Sequence, residues 1–97
     1  MEMHAAALLN LGIALGVLGE HADAEERITT AYGQFTIADI AEQRVRCLVE
    51  LAALAAGRKE PDAARVCLDH AHEIATRTEL PRELLLIEER LARLSDG

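Results

Sequence analysis

Apolar residues recur along this chain at steps of three and four, the spacing of one face of an α-helix. Leu8, Leu11, Leu15 and Leu18 form one such series, and Leu9, Ile13 and Val17 form a second beside it. A first helix over about residues 2–18 is therefore expected to be apolar on two faces, the mark of an element contacted from more than one side. Gly19 and the polar pair Glu20-His21 break the pattern and predict a turn. The next series is Ala24, Ile28, Ala31 and Phe35, in a helix over about residues 22–35. Asp23, Glu25 and Glu26 crowd its start, where the helix dipole favours negative charge. Thr36-Ile37-Ala38-Asp39 has the spacing of a capping box and predicts the opening of a third helix, residues 37–56. Ile40, Val45, Leu48, Leu51, Ala52 and Ala55 mark its buried side, Val49 and Ala53 continue onto a second face, and Gly57 is expected to end it. Pro61 and Pro81 sit at natural first positions of two further helices, residues 61–77 and 81–94. The fourth faces inward through Ala64, Leu68, Ala71 and Ala75. The fifth repeats Leu84, Ile87, Leu91 and Leu94, and presents Arg82, Glu83, Glu88, Glu89, Arg90 and Arg93 on a polar side.

The pattern also repeats at long range. Ala24, Ile28 and Ala31 recur as Ala64, Leu68 and Ala71, each 40 residues later. Leu8, Leu11, Gly12 and Leu15 recur as Leu48, Leu51, Ala52 and Ala55. Small residues fall where paired helices must touch, and large ones surround them. These spacings resemble the tetratricopeptide repeat, an antiparallel helix pair of about 34 residues that stacks into a solenoid. The resemblance covers about residues 5–75: one repeat over 5–38, a degenerate second over 39–78, then a capping helix over 81–94, all in one domain of residues 1–97. The longer period is attributed to longer connections after Phe35 and before Pro61. The aromatic common near the repeat start is Leu8 and Leu48 here, and the family's terminal proline is absent.

The resemblance implies an all-α fold in which the first helix of each repeat lines a concave groove for partner peptides. The matching positions are Ala6, Leu9, Ile13, Gly16 and Val17, then Arg46, Val49, Ala53, Ala56 and Gly57. Members that clamp a terminal carboxylate place Lys and Asn there. This chain has Leu9, Ile13, Val49 and Ala53, so that activity is not expected. The competing architecture is a compact five-helix bundle in which the same residues are core.

Composition narrows the function. Half of the residues (51%) are apolar, mostly Ala and Leu, with Tyr32 and Phe35 as the only aromatics, which argues for close-packed helices over a sheet. A net charge of −7 argues against nucleic acid, whose binding needs a basic surface, and against an anionic membrane surface. No stretch reaches the roughly 18 apolar residues of a membrane span. Cys47 and Cys67 lack metal or redox spacing and fit a reducing, cytoplasmic setting. Arginine greatly outnumbers lysine, which with abundant alanine suggests a GC-rich genome.

Candidate chemistry is sparse. Cys67 and His70 share a helix face, but no second pair accompanies them, so a buried thiol and a surface imidazole are the simpler reading. His4 and His21 are expected on the surface. Arg44, Arg46 and Arg58 suit either a small basic patch or an ordinary solvated face. No catalytic triad spacing, phosphate loop or His-Glu-x-x-His occurs, so no enzyme, cofactor or metal is expected. The expectation is a protein-interaction scaffold, and the similarity to repeat regions of large bacterial regulators implies a regulatory setting by analogy. Its groove of Leu9, Ile13, Val17, Arg46, Val49 and Ala53 would hold a peptide or amphipathic helix. The alternative is a self-associating structural domain, a homodimer using that stripe or Leu84, Ile87, Leu91 and Leu94.

Overall fold

Four turns of one geometry organise the molecule. The computed structural model describes residues 4–96, with the backbone alone for Asp96. Among these residues it contains five α-helices and no strand: α1 (Ala5–Val17), α2 (His21–Ile37), α3 (Ala41–Gly57), α4 (Pro61–Arg77) and α5 (Pro81–Asp96). The protein is all-α. Gly19, Asp39, Lys59 and Glu79 all have positive φ, and they fall 20 residues apart. Just after each, an amide reaches back across the turn: Glu20 N to Leu15 O (2.9 Å), Ile40 N to Phe35 O (3.0 Å), Glu60 N to Ala55 O (2.9 Å) and Leu80 N to Ala75 O (2.9 Å). Each left-handed residue also donates to the carbonyl three positions earlier. This pair of bonds is the Schellman closure, which satisfies carbonyls that a helix end otherwise orphans. The same residues that close one helix open the next, since Glu20 O, Ile40 O, Glu60 O and Leu80 O accept the first bonds of α2 to α5.

Several expected boundaries move as a result. Thr36 does not cap α3. It lies in the last turn of α2, where its hydroxyl donates to Tyr32 O at 2.8 Å, and Asp39 supplies the left-handed residue. Gly57 remains helical, and Lys59 makes the turn that glycine was expected to make. Ile40 precedes α3 and is 43% exposed. The connections are therefore no longer before Pro61 than after Val17, and the period of 40 is two helical units of 20. Pro61 and Pro81 do open their helices.

Several core positions 40 apart share the same environment. Leu8 and Leu48 are both 6% exposed, Ile28 and Leu68 are 1% and 2%, and Ala31 and Ala71 are fully buried. The core forms two clusters along the stack. One gathers Leu8, Leu9, Ile28 and Phe35 with Cys47 and Leu54, and the other gathers Val45, Leu48, Leu68, Ile74 and Ile87, with Tyr32 packed against both. The main contacts join chain neighbours, α1–α2, α2–α3, α3–α4 and α4–α5, with a smaller one between α1 and α3. A stack in which each unit touches only the next is the packing logic of helical repeats. Its radius of gyration is 12.8 Å, in a slab of 43 × 31 × 17 Å.

Helices α1 and α2 approach each other closely at Gly12. A Cβ on Gly12 would collide with Ile28 Cγ1 and come within 3.2 Å of Ala24 O. No larger residue at position 12 lets the two backbones meet this closely.

Candidate interaction surface

The odd-numbered helices α1, α3 and α5 build one face, and two clefts run between them. The first has a volume of about 210 Å³ and lies between the C-terminal halves of α1 and α3. Ile13, Gly16 and Val17 form one wall, Glu50, Ala53 and Leu54 the other, and Gly12 and Ile28 the floor. The second, about 260 Å³, lies between α3 and α5. Adding 40 to the residues of the first cleft generates most of the second. Gly12, Ile13, Gly16 and Ile28 become Ala52, Ala53, Ala56 and Leu68, while Glu50, Ala53 and Leu54 become Arg90, Arg93 and Leu94. Ala53 lines both clefts and is exposed on the ridge between them. A third depression, about 270 Å³, lies between the N-terminal halves of α3 and α5, with Arg46, Val49, Glu83 and Leu86 in its walls.

These clefts draw in most of the groove residues expected from the sequence. Ile13, Val17 and Ala53 line the first, Ala53 the second, and Arg46 and Val49 the third. Leu9 does not line them. It is 1% exposed and belongs to the core with Ile28 and Leu8, because α2 and α3 close over that side of α1. Val49, at 6% exposure, contributes only an edge. The stripe proposed for self-association is used within the chain: Ile87 is fully buried, and Leu84, Leu91 and Leu94 pack against the core. Helix α5 does not fold back over the first cleft. It occupies the place after α3 that α3 occupies after α1, and so makes the second cleft.

Sequence reasoning missed Glu50, Arg90 and Arg93. The signal was available, because extending the 40-residue register from α3 into α5 makes Arg90 the counterpart of Glu50. Reading α5 only as a cap hid it.

The remaining candidates disperse. Arg44 lies over the Tyr32 ring, 5.6 Å from its centroid, and donates to the phenol oxygen at 3.4 Å. Arg58 pairs with Glu25, tying the end of α3 to the start of α2, and Arg46 faces the third depression. The three arginines thus form no common patch. His70 meets Tyr32 edge-on at 6.2 Å, whereas Cys67 faces the separate depression that holds Glu25 and Arg58. Among the described residues no three His, Cys, Asp or Glu side chains converge as metal ligands. His21 is half-buried at the start of α2, beside Gly57, where the surface was expected. Burial pushes the Cys47 thiol up to about 11 against a small opposing effect of Arg46, and burial also raises Cys67. Both thiols are kept protonated and poorly nucleophilic. Among the described residues no helix is long and apolar enough to cross a membrane.

No family model, curated protein or solved structure matches this chain.

Proposed function

We propose that this protein is a helical-repeat interaction module, akin to a short tetratricopeptide array, that holds a partner segment across the face of α1, α3 and α5. One observation carries the reading: the same apolar cleft is built twice, 40 residues apart, and both copies open on one face. An apolar surface repeated in this way is costly to leave wet and suits a partner with periodically spaced apolar side chains. The close approach at Gly12 and the matched burial of positions 40 apart support the kinship with tetratricopeptide repeats. A cytoplasmic, regulatory setting in a bacterium belongs to this reading by analogy.

The competing reading is self-association, for which Leu85 (71% exposed) and Leu86 (40% exposed) on α5 provide apolar surface. A photo-crosslinking residue in place of Ala53, compared with one in place of Val66 on α4, separates the two. Val66 is 69% exposed and lines neither cleft. Adducts to a different protein at position 53, not at 66, are expected. Adducts of twice the chain mass alone favour self-association, and equal labelling at both positions removes the groove.

A further inference from the structure

Helix α1 leaves one side open. From Ala5 to Leu18 the chain carries no charged residue. Ala7, Leu11, Ala14 and Leu18 follow one another at steps of four, three and four, which lines them up on one side of the helix as a heptad seam. Ala7 and Ala14 are exposed, Leu11 is half-buried and Leu18 is 76% exposed. None of the four lines either cleft. Leu9 and Ile13, two residues to either side of Leu11, fall on the opposite side of α1, in the core and the first cleft.

The repeat shows how this face is used elsewhere in the chain. Forty residues on, Ala7, Leu11 and Ala14 become Cys47, Leu51 and Leu54 in α3, and 40 further they become Ile87, Leu91 and Leu94 in α5. The first three pack into the cluster formed with α1 and α2, and the second three into the cluster formed with α3 and α4. In α3 and α5 the face is thus covered by the preceding helix pair, and Cys47 and Ile87 are fully buried. Ala7 is exposed, since among the described residues no helix precedes α1.

The seam is complementary to its own reversal. In an antiparallel pair Ala7 meets Leu18 of a second copy and Leu11 meets Ala14, so each large side chain faces a small one, as close packing requires. Each helix's positive end also lies beside the other's negative end. A parallel pair would set Leu against Leu, Ala against Ala and like ends together. The far end of the stack does not fit the seam. Where α3 buries Leu48 and Val49, α5 exposes Glu88 and Glu89. Seating α5 on α1 would bury those carboxylates against an uncharged face. Each copy carries a net charge of −7, and α1 offers a contact in which no like charges meet.

We infer that the protein forms a twofold dimer through α1, packed antiparallel about a point between Leu11 and Ala14. The contact is isologous, so it closes at two copies. The seam is about 17 Å long, which suits a reversible dimer. Both clefts stay open in it, so the inference stands or falls independently of the groove.

Sedimentation velocity of the full chain across a concentration series tests it, and a species of twice the chain mass is expected. Ala14 is exposed in the monomer, so Ala14→Glu should keep its helical circular dichroism. It should weaken the dimer about a hundredfold, because two carboxylates become buried per dimer. Leu85→Glu, on the open side of α5, should leave the dimer unchanged. Leu11→Ala and Ala14→Leu should each weaken it, and the double variant, which only exchanges large and small, should restore it. If Leu11→Ala unfolds the chain, Ala14→Glu and Leu85→Glu decide. A dimer indifferent to Ala14→Glu, or lost in Leu85→Glu, overturns the inference. Failure of the double variant to restore a dimer that Ala14→Glu abolishes overturns the antiparallel pairing. A monomer throughout also overturns it and leaves the face to a helix of another protein, or to a lipid surface if neutral phosphatidylcholine vesicles bind the native chain and not Ala14→Glu.

Discussion

Replacing glycine by alanine should have opposite effects at two places in the α1–α2 pair. Gly33 sits within α2, exposed, with nothing within 4 Å of where a Cβ would lie. Alanine there should stabilise by about 1 kcal/mol, the difference in helix propensity. At Gly12 the same methyl meets Ile28 Cγ1, Ile28 Cδ1 at 3.1 Å and Ala24 O at 3.2 Å. Ile28 is 1% exposed and has no space to turn into, and a backbone carbonyl cannot turn aside. Overpacking costs about 1–3 kcal/mol, and contacts this close belong in the upper half of that range. Subtracting the propensity gain of about 1 kcal/mol leaves a net loss of roughly 1–2 kcal/mol. In a domain of this size each kcal/mol moves Tm by about 4–8 °C. Urea denaturation followed by circular dichroism reads both variants, and an unchanged m-value shows that the stability alone has moved. Gly33→Ala should raise the midpoint and Gly12→Ala should lower it. Equal stabilisation by both would refute the close approach of α1 and α2, and with it the packing of the repeat.

Three further outcomes follow from the structure. Lys59→Gly and Glu79→Gly should each stabilise by roughly 0.5–1 kcal/mol, because relief of left-handed strain outweighs the added freedom of the unfolded chain; thermal melts would measure it. Asp39→Gly should gain less, since Asp tolerates that conformation better. Because the folded Cys47 holds its proton to about pH 11, against 9.0 for an ordinary thiol, the folded state binds more protons than the unfolded one between these values. Stability should thus be intact below about pH 9 and fall as pH rises towards 11, with a shallower fall in Cys47→Ala in urea titrations across that range. Leu9→Glu should abolish the helical circular dichroism by burying an unpaired charge in the core, whereas Ala53→Glu should retain it.

Much of the fold is legible in local spacing. The steps of three and four, the prolines at 61 and 81, and the recurrence of Ala24-Ile28-Ala31 as Ala64-Leu68-Ala71 identify a repeated helical architecture before any contact is known. These features act within one or two helical turns, so sequence neighbours suffice to specify them. The turns were harder. Gly19 announces one, but Asp39, Lys59 and Glu79 take the same conformation, because the Schellman bonds and the docking of the next helix offset what a side chain costs there. Thr36 illustrates the opposite error, since a hydroxyl that suits an N-cap also bonds its own helix four residues back.

The candidate site divides in the same way. Sequence spacing alone placed Ile13, Val17 and Ala53 on one stripe, but it could not separate them from Leu9, which has the same periodicity. Only the packing of α2 and α3 around α1 decided that Leu9 is core while Ile13 and Ala53 line open clefts. The correspondence of Glu50 and Arg90 in the two clefts likewise needs α5 to continue the stack. The sequence by itself determined the helices, their apolar faces and their 40-residue repeat, because these follow from short-range periodicity. The tertiary structure decided which apolar residues remain open and which charges stand in the cleft walls, because exposure depends on elements distant in sequence that come to lie on either side.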